Sequence, residues 1–377
     1  MNNYIKIIII ILILMLLILL CNKRMANENV LWSVNLKGEL ITAQIYNNSM
    51  IILTGTFGLK CLDMENGKIK WTDKEDELVF TLNKPFLYNR NLYTGTDKSN
   101  KIYNIDIDTG SYQNIYDVSG IVLLTKVFKN QLYYIVRENG YSRYKIKILD
   151  LDSWNENTIF EFKDYIEYIR DPLIIHKNYI IASIKSRNDR NLLYCINKDN
   201  GSINWETEIA GRQMRLTNVI KHNDSVFWVE KGYLIEKNIE TGVTNSLQKE
   251  NINGSYMEFD GEHILIYGMM KNKGSKNEYY TQLYLYNVND KNIISIQENY
   301  NKAVISNGRI IYKNNNKIFL KHIVSGESRE IYSYREELVH MYVTEKFLLL
   351  VLTNDEREVH LGYGSCKYVL ISLKDID

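Results

Sequence analysis

The chain has little with which to staple, charge or metallate itself. Only 4 of its 377 residues are cysteine, with no Cys-x-x-Cys and no adjacent pair. A disulfide framework and a paired-thiol centre are therefore both unsupported, and Cys61, Cys195 and Cys366 read as small hydrophobes on strands. The 2 prolines, beside an abundance of Asn, Ile and Lys, reflect coding bias more than structural demand. Neither sign of charge prevails: 46 Lys and Arg face 45 Asp and Glu, a formal net of +1. Setting aside residues 1–20, whose only charge is Lys6, leaves a neutral body, which argues against a nucleic-acid or anionic-membrane footprint. None of the 6 histidines falls in an i, i+2 or i, i+4 pair, so no metal site is legible. His176 and His222 occupy the same turn of two repeats and read as interchangeable polar turn residues.

What is present begins with an unbroken apolar run, residues 7–21, ending in Cys21 and followed by Asn22-Lys23-Arg24. As a helix it spans about 22 Å, short of the roughly 30 Å hydrocarbon core, so it is closer to a signal-peptide core than to a full membrane span. Three forms of N-terminus stay open: lipidation at Cys21, an uncleaved anchor, or a cleaved export signal. Leu20 stands where a lipoprotein signal normally carries a small residue, and Lys23 and Arg24 lie on the wrong side for an inside-positive anchor. All three place the body outside the cytoplasm. Residues 1–21 are thus the signal or anchor segment, 22–29 a polar linker and 30–377 the folded domain.

The rest is organised around LKCLDMENGKIKW (59–71), which returns as LYCINKDNGSINW (193–205). In both copies Asn-Gly separates two alternating apolar runs, with a cysteine six residues before the glycine and a tryptophan four after it. Asn-Gly in that setting predicts a two-residue type I′ hairpin with both central residues at positive φ. The copies lie 134 residues apart, three intervals of about 45. Weaker echoes at that period divide the chain into eight units of four short runs, A to D. The first reads LITAQIY (40–46), MIILTG (50–55), LKCLDM (59–64) and KIKWTD (68–73). The others begin at residues 78, 121, 172, 215, 255, 303 and 338, and the last lacks a fourth run. VLWSVNL (30–36), left over at the front and bearing Trp32, supplies it. Residues 30–373 hold 344 positions, 43 per unit over eight units, the spacing of a propeller. The expectation is an all-β, eight-bladed β-propeller of four-stranded antiparallel blades, monomeric, closed by strand 30–36 and preceded by an apolar helix.

Glycine followed four residues later by tryptophan, after a strand ending in Asp or Asn, resembles the repeat of the pyrroloquinoline-quinone-type propellers. That group includes quinoprotein alcohol dehydrogenases and the propeller lipoprotein of the bacterial outer-membrane β-barrel assembly machine. The resemblance implies that Trp32, Trp71 and Trp205 pack between neighbouring blades. It also invites a quinone-dependent dehydrogenase, but the family's adjacent cysteines are missing and no Asp, Glu and Asn set maps onto its metal ligands. Glu138, Asp150 and Asp152 read as solvated turn carboxylates. The glycosidase Asp-box is matched only in its first half, by Asp108-Thr109-Gly110 and Asp199-Asn200-Gly201, with tryptophan one place too late and no arginine triad.

The A-to-B and C-to-D turns are short. The B-to-C loops are the long ones (96–100, 137–143, 185–191, 269–281, 354–366), and in a propeller they share one end of the ring with the D-to-A crossings. Scaffolded loops are where binding usually resides. Three carry basic residues: Arg137 and Arg143; Lys185, Arg187 and Arg190; Lys271, Lys273 and Lys276. The last is acidic through Asp355, Glu356 and Glu358. The sequence therefore reads as a membrane-tethered, non-catalytic scaffold for other envelope or membrane proteins, without cofactor or metal. The alternatives are a small-molecule or glycan binder in the axial channel and, third, a quinone-type or glycosidase-type enzyme.

Overall fold

The computed structural model describes residues 29–37, 40–46, 48–54, 58–73, 85–95, 100–138, 143–163, 166–186, 190–209, 219–252, 254–271, 279–296, 302–354 and 364–374. Their strands form eight four-stranded antiparallel sheets. Blades 1 to 7 take their strands in chain order from residues 40–72, 86–117, 121–162, 166–209, 220–252, 254–296 and 303–333. Blade 8 uses residues 337–372 for three strands, and its fourth is Val30–Lys37 from the front of the chain. Trp32 stands opposite Leu370 and Leu36 opposite Cys366. The molecule is the eight-bladed propeller the repeat spacing predicts, closed by the strand that carries Trp32. The apolar run 7–21, including Cys21, lies outside the described residues, and no helix among those described is long and apolar enough to cross a membrane.

First strands of neighbouring blades touch one another, as in blades 3 and 4 or 7 and 8, so the first strand of each blade is innermost and the fourth outermost. Second strands are covered on both faces by adjacent blades. They accordingly read as continuous apolar runs: every residue of Ser49–Thr54 is buried, and Phe347–Thr353 is FLLLVLT. Outer strands such as Ile69–Thr72 are largely exposed. The core is divided into apolar clusters that bridge neighbouring blades: Ile51, Leu53, Cys61 and Tyr103 join blades 1 and 2, Leu283, Leu285, Ile305 and Ile310 join blades 6 and 7, and the largest runs across blades 4, 5 and 6.

The C-to-D turns differ from the two-residue hairpin expected. Asp63 and Lys68 flank a four-residue loop: the Asp63 N–H donates to the Lys68 carbonyl at 2.8 Å and the Gly67 N–H to the Asp63 carbonyl at 2.9 Å. Only Gly67 has positive φ, at 69°, and Asn66 does not. The reason lies in the residue ending the strand. Asp63 Oδ1 accepts the N–H groups of Glu65 and Asn66, and Asp106, Asp150, Asn238 and Asn287 cap their turns the same way. That Asx cap builds a longer turn with one left-handed residue at its end.

Candidate functional site

Three seams share a clasp. The outer-strand tryptophan of one blade reaches the C-to-D turn of the next, and its indole N–H donates at 2.8 Å to the first carbonyl after the third strand. Trp32 of blade 8 bonds Met64 O, Trp71 of blade 1 bonds Ile107 O, and Trp205 of blade 4 bonds Ile239 O. The ring covers the left-handed glycine of that turn: a Cβ on Gly67 would stand 2.7 Å from Trp32 and one on Gly110 2.6 Å from Trp71, so only glycine fits beneath the indole. Each tryptophan follows a one-residue bulge (at Leu31, Lys70 and Asn204) that turns it onto the seam. Lys237 adds its ammonium 4.8 Å from the Trp205 ring centre. Sequence reasoning missed Trp154. It occupies the left-handed turn position in blade 3 at φ 57° and reaches back to Tyr116 of blade 2, ring centres 6.0 Å apart.

At the turn end of blades 4 and 5, His176, Asp224 and Glu240 are grouped closely enough to hold a metal ion. His176 Nε2 lies 2.9 Å from Asp224 Oδ1. The Lys177 ammonium, however, lies 2.9 Å from Asp224 Oδ1 and 2.8 Å from Glu240 Oε1. Lys177 holds the Asp224 carboxyl below its usual range, and burial lowers the His176 pKa. A divalent ion would have to displace that lysine, so the arrangement acts as an ion-pair bridge between blades. His176 and His222 are consequently not interchangeable: His222 instead meets Asn223 and the edge of Phe259.

The basic positions fall on the opposite end. Arg137 ends the strand Gln131–Arg137 and Arg143 is exposed just before Tyr144–Asp150, both in blade 3. Lys185 lies in Tyr179–Ser186 and Arg190 directly precedes Asn191–Asn197, both in blade 4. Nearby carboxylates offset part of this charge: Glu138 pairs with Lys145 at 2.8 Å, and Glu208 stands 3.8 Å from Arg190. Arg187, Lys273, Lys276, Asp355, Glu356 and Glu358 lie outside the described residues. The 269–281 loop is shorter than expected, because strands His263–Lys271 and Tyr279–Asn287 extend into it and the backbone of Lys271 pairs with Tyr279. Asp150 caps its turn through Ser153, and Asp152 accepts Asn130 Nδ2 at 2.9 Å.

Toward the axis, a cavity of about 380 Å³ lies among the first strands of blades 8, 1 and 2. Ala43, Ile45, Phe86, Leu87, Tyr342 and Val343 line it, with Gln44 and Thr344 as polar members. The described lining is mostly apolar and can accept an apolar group.

Comparison with known proteins follows the same division of the ring. Residues 25–207, 183 of the 377, match the family model described as outer membrane protein assembly factor BamB. That span covers the closing strand and blades 1 to 4. No curated protein sequence matches the chain. Among solved structures, the computationally designed Ika8 protein superposes with a TM-score of 0.64 at 10% identity, covering 92% of this chain and 100% of its own. BamB from Moraxella catarrhalis gives 0.58 at 12% identity, covering 89% and 98%. Quinohemoprotein alcohol dehydrogenase from Comamonas testosteroni gives 0.58 at 10%, covering 93% and 77%. At such identities these structures establish the fold alone. The ring thus has the eight-bladed propeller fold of these structures, and its residues 25–207 resemble the outer membrane assembly factor BamB.

Proposed function

We propose that the protein is a membrane-tethered, extracytoplasmic scaffold that holds other envelope proteins and performs no chemistry. The observation that carries this reading is the match of residues 25–207 to the model of an outer membrane assembly factor. It spans the blades whose B-to-C connections bear Arg137, Arg143, Lys185 and Arg190. The carboxylate beside Arg137 supports it too, since Glu138 is engaged in an ion pair with Lys145. The tether would be Cys21, if lipidated, or the apolar run itself. Affinity purification from native membranes, with Lys185, Arg187 and Arg190 reversed to glutamate as comparison, tests the docking end. Partners lost on reversal are expected; an identical set with both proteins would sink it. Mass spectrometry of the mature N-terminus separates the tethers, and an intact Met1 removes lipidation.

A second reading, binding of a small apolar molecule, is favoured by the cavity of about 380 Å³, a size within the usual range for ligand pockets. Solvent extraction of the purified protein followed by mass spectrometry would reveal such a molecule at stoichiometric yield. An empty extract, together with no thermal shift on adding apolar ligands, would discard it.

A further inference from the structure

Three seams of the ring are closed by an indole, and the receiving half of a fourth stands without one. On blade 5 three groups at the end of the strand Gly232–Asn238 receive Trp205: Lys237 beneath the ring, the carbonyl of Ile239, and Gly242 at φ 68°. Blade 7 repeats them at the same spacing after Lys317–His322, as Lys321, Ile323 and Gly326 at φ 72°. The turn bonds agree as well, with Gly326 N–H donating to His322 O and Gly242 N–H to Asn238 O, both at 3.0 Å.

Blade 6 provides no tryptophan for that site. Trp205 stands opposite Cys195, two residues before the end of its third strand; the corresponding pair in blade 6 is Leu285 and Ile294. Ile294 is 49% exposed, and its strand lacks the bulge that aims the other tryptophans. A Cβ added to Gly326 would meet nothing within 4 Å, whereas at Gly67, Gly110 and Gly242 it would meet an indole at 3.0 Å or closer. The space left is a cleft of about 320 Å³ walled by Leu285, Ile294, Ile296, Ile310, Lys321 and Ile323. It continues outward from the apolar cluster joining blades 6 and 7.

We propose that this cleft is a docking slot for a tryptophan side chain presented by another polypeptide. The ring would lie on Gly326 with the Lys321 ammonium at its face, and the indole N–H would reach the Ile323 carbonyl. The donor is not a second copy of this chain. All 5 tryptophans are already placed: three in clasps, Trp154 against Tyr116, and Trp228 buried at 1% exposure.

This deepens the scaffold reading and rests on it for the identity of the donor, but its test does not need a partner to be captured. N-acetyl-tryptophanamide is titrated into the full chain and followed by saturation-transfer NMR, with N-acetyl-leucinamide as comparator. Saturable binding of about millimolar strength is expected for the indole only. Ile294→Trp, which supplies the ring in cis, should weaken it about tenfold, and so should Ile294→Lys, which removes the apolar wall without needing a new ring to pack. Absence of indole binding, equal binding of the leucine amide, or unchanged affinity in both variants overturns the slot. A slot that fails while membrane purification still returns partners leaves the scaffold standing, and the reverse result does the opposite.

Discussion

Two halves of the ring are held together by different physics. From blade 8 through blade 2, and again between blades 4 and 5, a tryptophan covers a glycine and gives its N–H to the neighbour's backbone. From blade 6 through blade 8, charged side chains reach across instead. Glu258 accepts Ile305 N–H at 3.1 Å and Asp260 accepts Gly308 N–H at 2.9 Å. Lys302 donates to the carbonyls of Leu338 and Val339, and Arg309 to those of Leu373 and Glu345. An indole seam gains from the area it removes from water. A charge-to-backbone brace must first offset the desolvation of its own ion, so it fixes register more than it adds stability.

The contrast should be sharpest at the closing seam. Trp32 is 6% exposed and joins the two ends of the chain. Trp32→Ala should cost about 3–5 kcal/mol, read as a fall in melting temperature or in denaturant midpoint at constant slope. Trp71→Ala and Trp205→Ala, at partly exposed sites, should cost less. A melting curve for Trp32→Ala that matches wild type would remove the clasp's energetic role.

Glu258 separates the two kinds of seam by pH. Burial pushes its carboxyl up to about 7 from an ordinary 4.5, against the opposing bonds from Ile305 N–H and Tyr256 OH. In the folded chain it therefore holds its proton until about 7, while in the unfolded chain it loses it near 4.5. The folded state binds more protons in that window, so stability falls as pH rises through it and levels off above. Glu258→Gln keeps an acceptor for Ile305 N–H and removes the titration. It should stabilise by about 3 kcal/mol at pH values above 7 and not at all below 4.5. An equal effect across that range would place the cost elsewhere. Lys302→Met, which leaves two carbonyls on blade 8 without that donor, should cost about 1–2 kcal/mol by chemical denaturation.

The difference between the halves explains what the sequence disclosed. Ring, blade number and closing strand follow from period and from Trp32, because a propeller's middle strands must be apolar on both faces and its turns must recur. The clasp positions were legible for the same reason: glycine and tryptophan are the residues least replaceable there. Their geometry was not. Counting four residues from Gly67 to Trp71 says nothing of the bulge at Lys70, which shifts the alternation by one and decides which seam the ring enters. The braces of blades 6 to 8 were invisible, since Glu258 or Lys302 looks like any surface charge until a neighbour's backbone is seen beside it. The His176–Asp224 pair joins residues one repeat apart with no local spacing to announce it. The basic B-to-C connections were found by composition, which locates them on one end of the fold without saying what they meet.

The smallest effect is also the most specific, at the seam where the clasp runs backward. In blade 3 the left-handed turn position holds Trp154 in place of glycine, and the outer strand of blade 2 holds Asn114, opposite Asn104, where blade 1 has Trp71. A non-glycine residue at positive φ costs about 1–2 kcal/mol, and the half-buried ring against Tyr116 offsets that by a similar amount. Trp154→Gly alone should therefore shift stability by no more than about 1 kcal/mol, because relief of the backbone and loss of the ring oppose each other. Adding Asn114→Trp puts glycine and indole in the forward arrangement of the other seams, and the bulge at Gln113 is already there to aim it. The double variant should then exceed both single variants and, by the coupling in a double-mutant cycle, show at least about 1 kcal/mol of favourable interaction. Strict additivity would mean that glycine and tryptophan stabilise their seams separately, and that the clasp is a juxtaposition of two packing effects with no shared energy.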